Sequence, residues 1–144
     1  MAAPDTLRYA KIPLTHGSGA IPALGFGTLI PDPLATKQAT KTALEVGFRH
    51  FDCAERYRNE QAVGDAMQEV FKAGTIQRND VFVTTKLWNN NHRPERVKPA
   101  FEASASVSDS IMSIAILSIP PLPSNRATSR TRGTSAARLS MILG

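Results

Sequence analysis

The sequence predicts an α/β protein in which a β-hairpin precedes three alternating strand–helix units. Short apolar runs rich in β-branched and aromatic residues alternate with longer segments that have helical apolar spacing. Glycine and proline lie between these segments, as expected of turns and helix ends. A repeated strand–helix order favours a parallel sheet, or a barrel with its helices outside.

The predicted elements follow one another closely along the first two thirds of the chain. A glycine-bearing turn at residues 16–19 joins the two arms of the hairpin. Strands are predicted at 24–29, 48–53 and 81–87, and helices at 34–46, 60–72 and 93–103. Asp32 is predicted to cap the first helix, Gly47 to end it, and Asn59 to cap the second helix.

The composition changes near residue 102. All nine aromatic residues lie at or before residue 101, whereas residues 102–144 contain ten serines and four arginines but no lysine or histidine. From about residue 120, the chain has too few periodic apolar residues to offset the entropy lost on ordering. We therefore predict a structured unit at residues 1–103 and a divergent, largely disordered tail at residues 104–144.

The net charge, the single cysteine and the lack of long apolar runs limit which partners and which cellular location we expect. The net charge of +5 is common among enzymes, and the arginines of the tail lack the interleaved aromatic residues that stack on nucleic-acid bases. The single cysteine, Cys53, excludes an internal disulfide and is predicted to be a small buried residue. With no visible signal segment or membrane-length apolar run, we expect a cytoplasmic protein with no membrane, nucleic-acid or metal partner. The oligomeric state is left open.

Polar residues lie where the predicted strands end, which is where α/β folds place their chemistry. Asp52 and Lys86 each end an apolar strand, where a charged group is costly unless it is paired. His50 shares a strand face with Asp52, and Thr84 shares one with Lys86. Neighbouring parallel strands would therefore bring Asp52 and Lys86 within salt-bridge distance. Tyr57 follows at the start of a helix and is expected beside the same pocket.

An Asp–Lys–Tyr cluster has a recognisable chemical use. A free phenol has a pKa near 10, and an adjacent ammonium favours its ionised form. A carboxylate keeps that ammonium charged and oriented. The phenol can then protonate an oxygen that gains negative charge, such as a carbonyl oxygen that receives hydride. The simpler reading of Asp52 and Lys86 is a structural ion pair that closes one end of a barrel.

Three motifs in order resemble the aldo-keto reductase family: LGFGT at 24–28, FDCAERYRNE at 51–60 and VTTKLW at 83–88. The resemblance covers residues 8 to about 103. It implies the N-terminal part of a (β/α)8 TIM barrel, with about three βα units after the hairpin, and NADPH as cofactor. It also implies hydride transfer to an aldehyde or ketone.

The resemblance also assigns roles to residues of this chain. It implies Tyr57 as the proton donor and Asp52 as the carboxylate that holds Lys86. The ammonium of Lys86 is then expected to favour loss of the tyrosine proton. Thr28 is expected near the nicotinamide together with Asp52. Trp88 is expected either to line the substrate mouth or simply to cover the barrel rim.

The chain departs from the family pattern in three respects. Leu29 stands where many members carry tryptophan, and no histidine follows His92, although the family's fourth strand ends in one. The family's later strands, which hold most of the cofactor, have no counterpart here. Two alternatives to an active reductase are therefore an inactive truncated or frameshifted fragment and a non-catalytic interaction protein.

Overall fold

The structure is a computed structural model that describes residues 9–15 and 19–107 and the backbone of residues 114–118. Its strands are β1 (Lys11–Pro13), β2 (Ala20–Pro22), β3 (Phe26–Gly27), β4 (His50–Asp52), β5 (Phe82–Leu87) and β6 (Ile114–Ser118). Its α-helices are α1 (Pro33–Glu45), α2 (Glu60–Lys72) and α3 (Pro94–Val107). Single 3₁₀ turns lie at Glu55–Tyr57, Arg78–Asp80 and Asn89–Asn91.

The strands form a hairpin and a parallel sheet. β1 and β2 pair antiparallel, and the four-stranded sheet has the order β3-β4-β5-β6 with every neighbouring pair parallel. A helix connects each strand of this sheet to the next. The predicted α/β class, the hairpin and the three βα units of a partial barrel are therefore confirmed.

The predicted boundary at residue 103 does not coincide with an end of structure. Helix α3 continues to Val107, and β6 lies inside the segment predicted as a tail, where it pairs with residues 83–87 of β5. No strand was predicted at residues 114–118, because this apolar run is short and serines lie on both sides of it. The predicted disorder from about residue 120 lies outside the described residues, as do residues 108–113 of the predicted tail.

Helix α1 begins and ends as its sequence predicts. The Asp32 carboxylate accepts a hydrogen bond of 2.6 Å from the backbone N–H of Ala35, and Pro33 occupies the first turn. Gly47 follows the helix with a φ of 103°, a conformation that only glycine adopts without strain. Asn59 occupies the N-cap position of α2, as predicted, but its side chain makes no capping hydrogen bond.

The main hydrophobic core lies between the parallel sheet and the first two helices. Phe51 of β4 and Val83 of β5 pack in one cluster with Leu44 of α1 and Met67 of α2. Each of these side chains is almost fully excluded from solvent. Successive residues of a strand face opposite sides of the sheet. Because Phe51 and Val83 face the helices, the polar residues that alternate with them lie on the other face.

Cys53 provides a chemical test of this core. The side chain is 2% exposed, and burial raises the pKa of its thiol to about 12, a rise that a hydrogen bond with Thr28 partly offsets. We expect the folded chain to resist an aromatic disulfide reagent at mildly alkaline pH and to react fully once denaturant is added. Rapid labelling without denaturant would contradict the packing described here.

The described part of the chain offers neither a membrane-spanning helix nor an obvious metal site. None of its helices is long and apolar enough to cross a bilayer. Within the same residues, no three His, Cys, Asp or Glu side chains converge in a way that could hold a metal ion.

Candidate active site

On the polar face of the sheet, side chains of β4 and β5 form two hydrogen-bonded pairs. The alternation of side chains along each strand predicts that these residues share one face. His50 of β4 is 2.8 Å from the Thr84 hydroxyl of β5, measured from its Nε2. One residue pair further along the same face, the Lys86 ammonium donates to the Asp52 carboxylate at 2.6 Å. The predicted proximity of Asp52 and Lys86 is therefore confirmed, and their pair lies at the carboxyl ends of the strands.

Tyr57 joins this pair from the turn that follows β4. Lys86 Nζ lies 3.1 Å from the Tyr57 hydroxyl oxygen and 4.9 Å from the centre of its ring. The same ammonium donates a third hydrogen bond, of 3.0 Å, to the backbone carbonyl of Cys53. An ammonium has three donors, so all three have partners and its position is closely defined.

Lys86 remains charged at neutral pH in this environment. Burial lowers the pKa of Lys86, but the hydrogen bonds and charge interactions with Asp52 and Tyr57 outweigh it, and the pKa is raised above 10.5. The Lys86 side chain is 17% exposed and that of Asp52 41% exposed. Because the pKa of Lys86 is higher in the folded chain than in the unfolded chain, the charged lysine contributes its full stabilisation of the fold at pH values below the unfolded-state pKa. It is lost only as pH rises through the folded-state value.

Thr28 lies behind Asp52. Its hydroxyl and its backbone N–H both donate to the backbone carbonyl of Asp52, at 2.9 and 3.1 Å, and its side chain is 0% exposed. These bonds fix the backbone that carries the carboxylate. Direct contact of Thr28 with a cofactor, expected from the resemblance, stays a prediction.

Trp88 directly follows β5 and is half-buried. The guanidinium of Arg56 lies over its ring, with the Arg56 Cζ 5.4 Å from the ring centre. Arg56 precedes Tyr57 in the same turn, so this contact brings the Tyr57 turn against the end of β5. The sequence did not indicate a role for Arg56, because Trp88, its contact partner, lies 32 residues later in the chain.

Asn59 supports the site from inside the fold through its side-chain amide nitrogen. Its side-chain amide donates to the backbone carbonyls of Thr28 and Ile30, at 2.6 and 3.0 Å. The same amide lies 3.2 Å from the hydroxyl of Thr36 in α1. Asn59 is 3% exposed, so no water competes for these groups. These contacts use the amide nitrogen, whereas a helix cap would use the side-chain oxygen Oδ1, which is buried without a hydrogen-bond partner.

Replacing Asn59 with alanine is expected to lower the free energy of unfolding by about 2 kcal/mol, because the buried Thr28 carbonyl loses its side-chain donor and the Ile30 carbonyl keeps only the Thr36 hydroxyl. Urea denaturation followed by circular dichroism measures the change. Gln61→Ala is the matched control, since the described hydrogen bond of the Gln61 amide is to exposed Asp65, one turn along α2. The control should stay within about 0.5 kcal/mol of the unmodified chain. Equal losses in both variants would contradict the role given to Asn59.

His50 is fully engaged at the opposite end of the strands from Tyr57. Its Nδ1 is 3.2 Å from the carbonyl oxygen of Pro22 in the hairpin, and its Nε2 bonds with Thr84. Burial lowers the pKa of His50, although the Pro22 carbonyl and Asp52 oppose the shift. An ideal Cβ at Gly25 would lie 2.9 Å from the imidazole Nδ1, so this glycine permits the close approach. His50 therefore ties the hairpin to the sheet.

A parallel sheet with a lysine held between a carboxylate and a phenol defines part of an α/β barrel with a candidate acid–base site. The profile of the aldo/keto reductase family matches residues 23–108. The chain belongs to this family, and the resemblance seen in its motifs is confirmed.

Individual relatives agree with this assignment. Rat aldo-keto reductase family 1 member C18 is 44% identical over 100 residues, which cover 67% of this chain and 31% of that protein. Bovine prostaglandin F synthase 1 is 49% identical over 87 residues, covering 58% of this chain and 27% of that protein. The solved structure of aldose reductase from Giardia lamblia superposes with a TM-score of 0.61 at 42% identity, covering 65% of this chain and 31% of that one. The chain thus spans about a third of the length of the relatives it matches.

Proposed function

We propose that this chain carries the proton-donating site of an NADPH-dependent reductase, in which Tyr57 protonates the oxygen of an aldehyde or ketone. The observation that carries the proposal is the position of Lys86, whose ammonium contacts Asp52 at 2.6 Å and the Tyr57 oxygen at 3.1 Å. A purely structural ion pair needs only the contact with the carboxylate. The additional contact of the ammonium with the Tyr57 phenol favours the ionised form of that phenol, so Tyr57 can release its proton.

Each residue has a defined part in the proton transfer. As the Tyr57 proton moves to the carbonyl oxygen, negative charge develops on the phenolic oxygen, and the Lys86 ammonium stabilises that charge. Asp52 holds the ammonium in place and balances its charge. The low exposure of Lys86 strengthens these interactions, because little solvent screens them.

The residues described here fit the reactive end of a nicotinamide cofactor. When bound, NADPH supplies the hydride that the carbonyl carbon receives. The 41% exposed carboxylate of Asp52 offers an acceptor for a carboxamide N–H beside the Tyr57 hydroxyl, while Thr28 holds the backbone of Asp52. Among residues 9–15 and 19–107, we assign none to the pyrophosphate or the adenosine, so the preference for NADPH rests on the family.

The substrate is a small carbonyl compound that reaches Tyr57 past Trp88. The half-buried indole provides a flat apolar surface next to the strand end that carries Lys86. Such a surface suits the carbon skeleton of an aldehyde or ketone. The names of the relatives mention different substrates, so they do not indicate which carbonyl compound this chain would bind.

A second candidate function is binding without turnover. The described sheet has four parallel strands, with β3 and β6 at its edges, whereas a closed barrel of this type has eight. A chain that holds the proton donor but cannot orient the hydride donor would bind a carbonyl compound and release it unchanged.

Titration of the purified chain with NADPH tests the proposal. Trp88 is the single tryptophan of the chain, so its fluorescence reports binding beside Lys86 without labelling. We expect saturable quenching with a Kd in the micromolar range and oxidation of NADPH only when an aldehyde or ketone is added. No binding by a chain that unfolds cooperatively would contradict the proposal. Binding without oxidation would favour the second candidate.

A further inference from the structure

Arg56 carries a guanidinium that has no carboxylate partner within residues 19–107. It is exposed, and its described contact is the face of Trp88, 5.4 Å from the ring centre. The neighbouring Glu55 is engaged elsewhere, because its carboxylate accepts from the Asn91 side chain at 3.1 Å. Stacking on the indole restricts the orientation of the guanidinium while leaving its N–H donors at the edge of the plane.

The placement of Arg56 relates it directly to the candidate proton donor. Arg56 and Tyr57 are consecutive in one 3₁₀ turn, and Trp88 is two residues beyond Lys86. The Arg56–Trp88 contact and the Lys86–Tyr57 contact therefore link the same two segments side by side. A molecule whose carbonyl oxygen lies at the Tyr57 hydroxyl would extend along Trp88 toward Arg56.

We propose that Arg56, stacked on Trp88, selects carbonyl substrates that carry a carboxylate. This inference rests on the proposed function, since it concerns the substrate of the same site. A carboxylate matches the planar fork of a guanidinium, which donates two parallel hydrogen bonds to it. The Lys86 ammonium does not compete for the carboxylate, because Asp52, Tyr57 and the Cys53 carbonyl already occupy its donors.

The test compares levulinate, a keto acid, with methyl levulinate, its uncharged ester. Binding to the full chain is followed by Trp88 fluorescence and by the ligand signals in NMR spectra, which do not depend on the indole. Arg56→Gln removes the stacked guanidinium. Arg58→Gln is the matched control, because it removes the same charge from an exposed residue that ends the same turn.

We expect the unmodified chain to bind levulinate about tenfold more tightly than the ester. Arg56→Gln should reduce this preference to within about twofold, and Arg58→Gln should retain at least about fivefold. Equal affinities for the two compounds in the unmodified chain, no binding of either compound, or equal losses in both variants would overturn the inference. An Arg56-dependent preference in a chain that oxidises no NADPH would leave the carboxylate site standing and remove only the proposed reductase activity.

Discussion

Replacing Lys86 with methionine is expected to reduce carbonyl-dependent oxidation of NADPH by roughly a hundredfold to ten-thousandfold. Methionine fills a similar volume but removes the ammonium that contacts both Asp52 and the Tyr57 oxygen. Nothing then stabilises the negative charge that develops on the phenolic oxygen. The Tyr57 hydroxyl would remain in the site and yet transfer its proton poorly.

The fold should tolerate this substitution. Asp52 loses its partner, but its side chain is 41% exposed and water can solvate it, so we expect a stability loss of about 1 kcal/mol. Lys41→Met provides the control, since Lys41 pairs at 2.9 Å with Glu69 between α1 and α2. Steady-state rates and urea denaturation distinguish the two variants. Unchanged turnover in Lys86→Met would remove this lysine from the mechanism.

Tyr57→Phe is the second substitution with a large expected effect. It removes one hydroxyl group and keeps the ring, so turnover should fall roughly a hundredfold to ten-thousandfold while binding of NADPH changes little. Lys86 keeps its hydrogen bonds to Asp52 and to the Cys53 carbonyl, which should preserve the local structure. Loss of kcat without a comparable rise in KM is the expected signature.

The other tyrosine supplies the control for this change. Tyr9 is 73% exposed and precedes the hairpin, far along the chain from the strand ends that carry the site. Tyr9→Phe should leave turnover within about twofold of the unmodified chain. If both variants lost turnover equally, the effect of Tyr57→Phe could not be assigned to a missing proton donor.

Local sequence patterns were sufficient to predict the Asp52–Lys86 pair. The period of two along each strand placed the residues on one face, and parallel order brought the strand ends together. Tyr57 was expected nearby because a short turn leaves little freedom after β4. The signals were strong because a charged residue at the end of an apolar run requires a partner.

Contacts between distant segments could not be predicted in the same way. The Asn59 amide bonds to carbonyls that lie about 30 positions earlier in the chain, so local helix-capping rules gave its position at the start of α2 but not the contacts of its side chain. The Arg56–Trp88 contact likewise depends on how the turn after β4 meets the end of β5. Strand β6 was missed because its apolar run is short and lies in a serine-rich segment, and its pairing with β5 reveals it.

Carbonyl-dependent oxidation of NADPH by the purified chain is the measurement that bears most directly on the Asp52–Lys86–Tyr57 site. The unmodified chain and Tyr57→Phe are compared at equal concentration, after both have shown the same cooperative unfolding. We expect NADPH consumption in the unmodified chain only when an aldehyde or ketone is present, and almost none in Tyr57→Phe. Equal rates in the two proteins, or no carbonyl-dependent consumption by a folded chain that binds NADPH, would contradict the proposed role of this site.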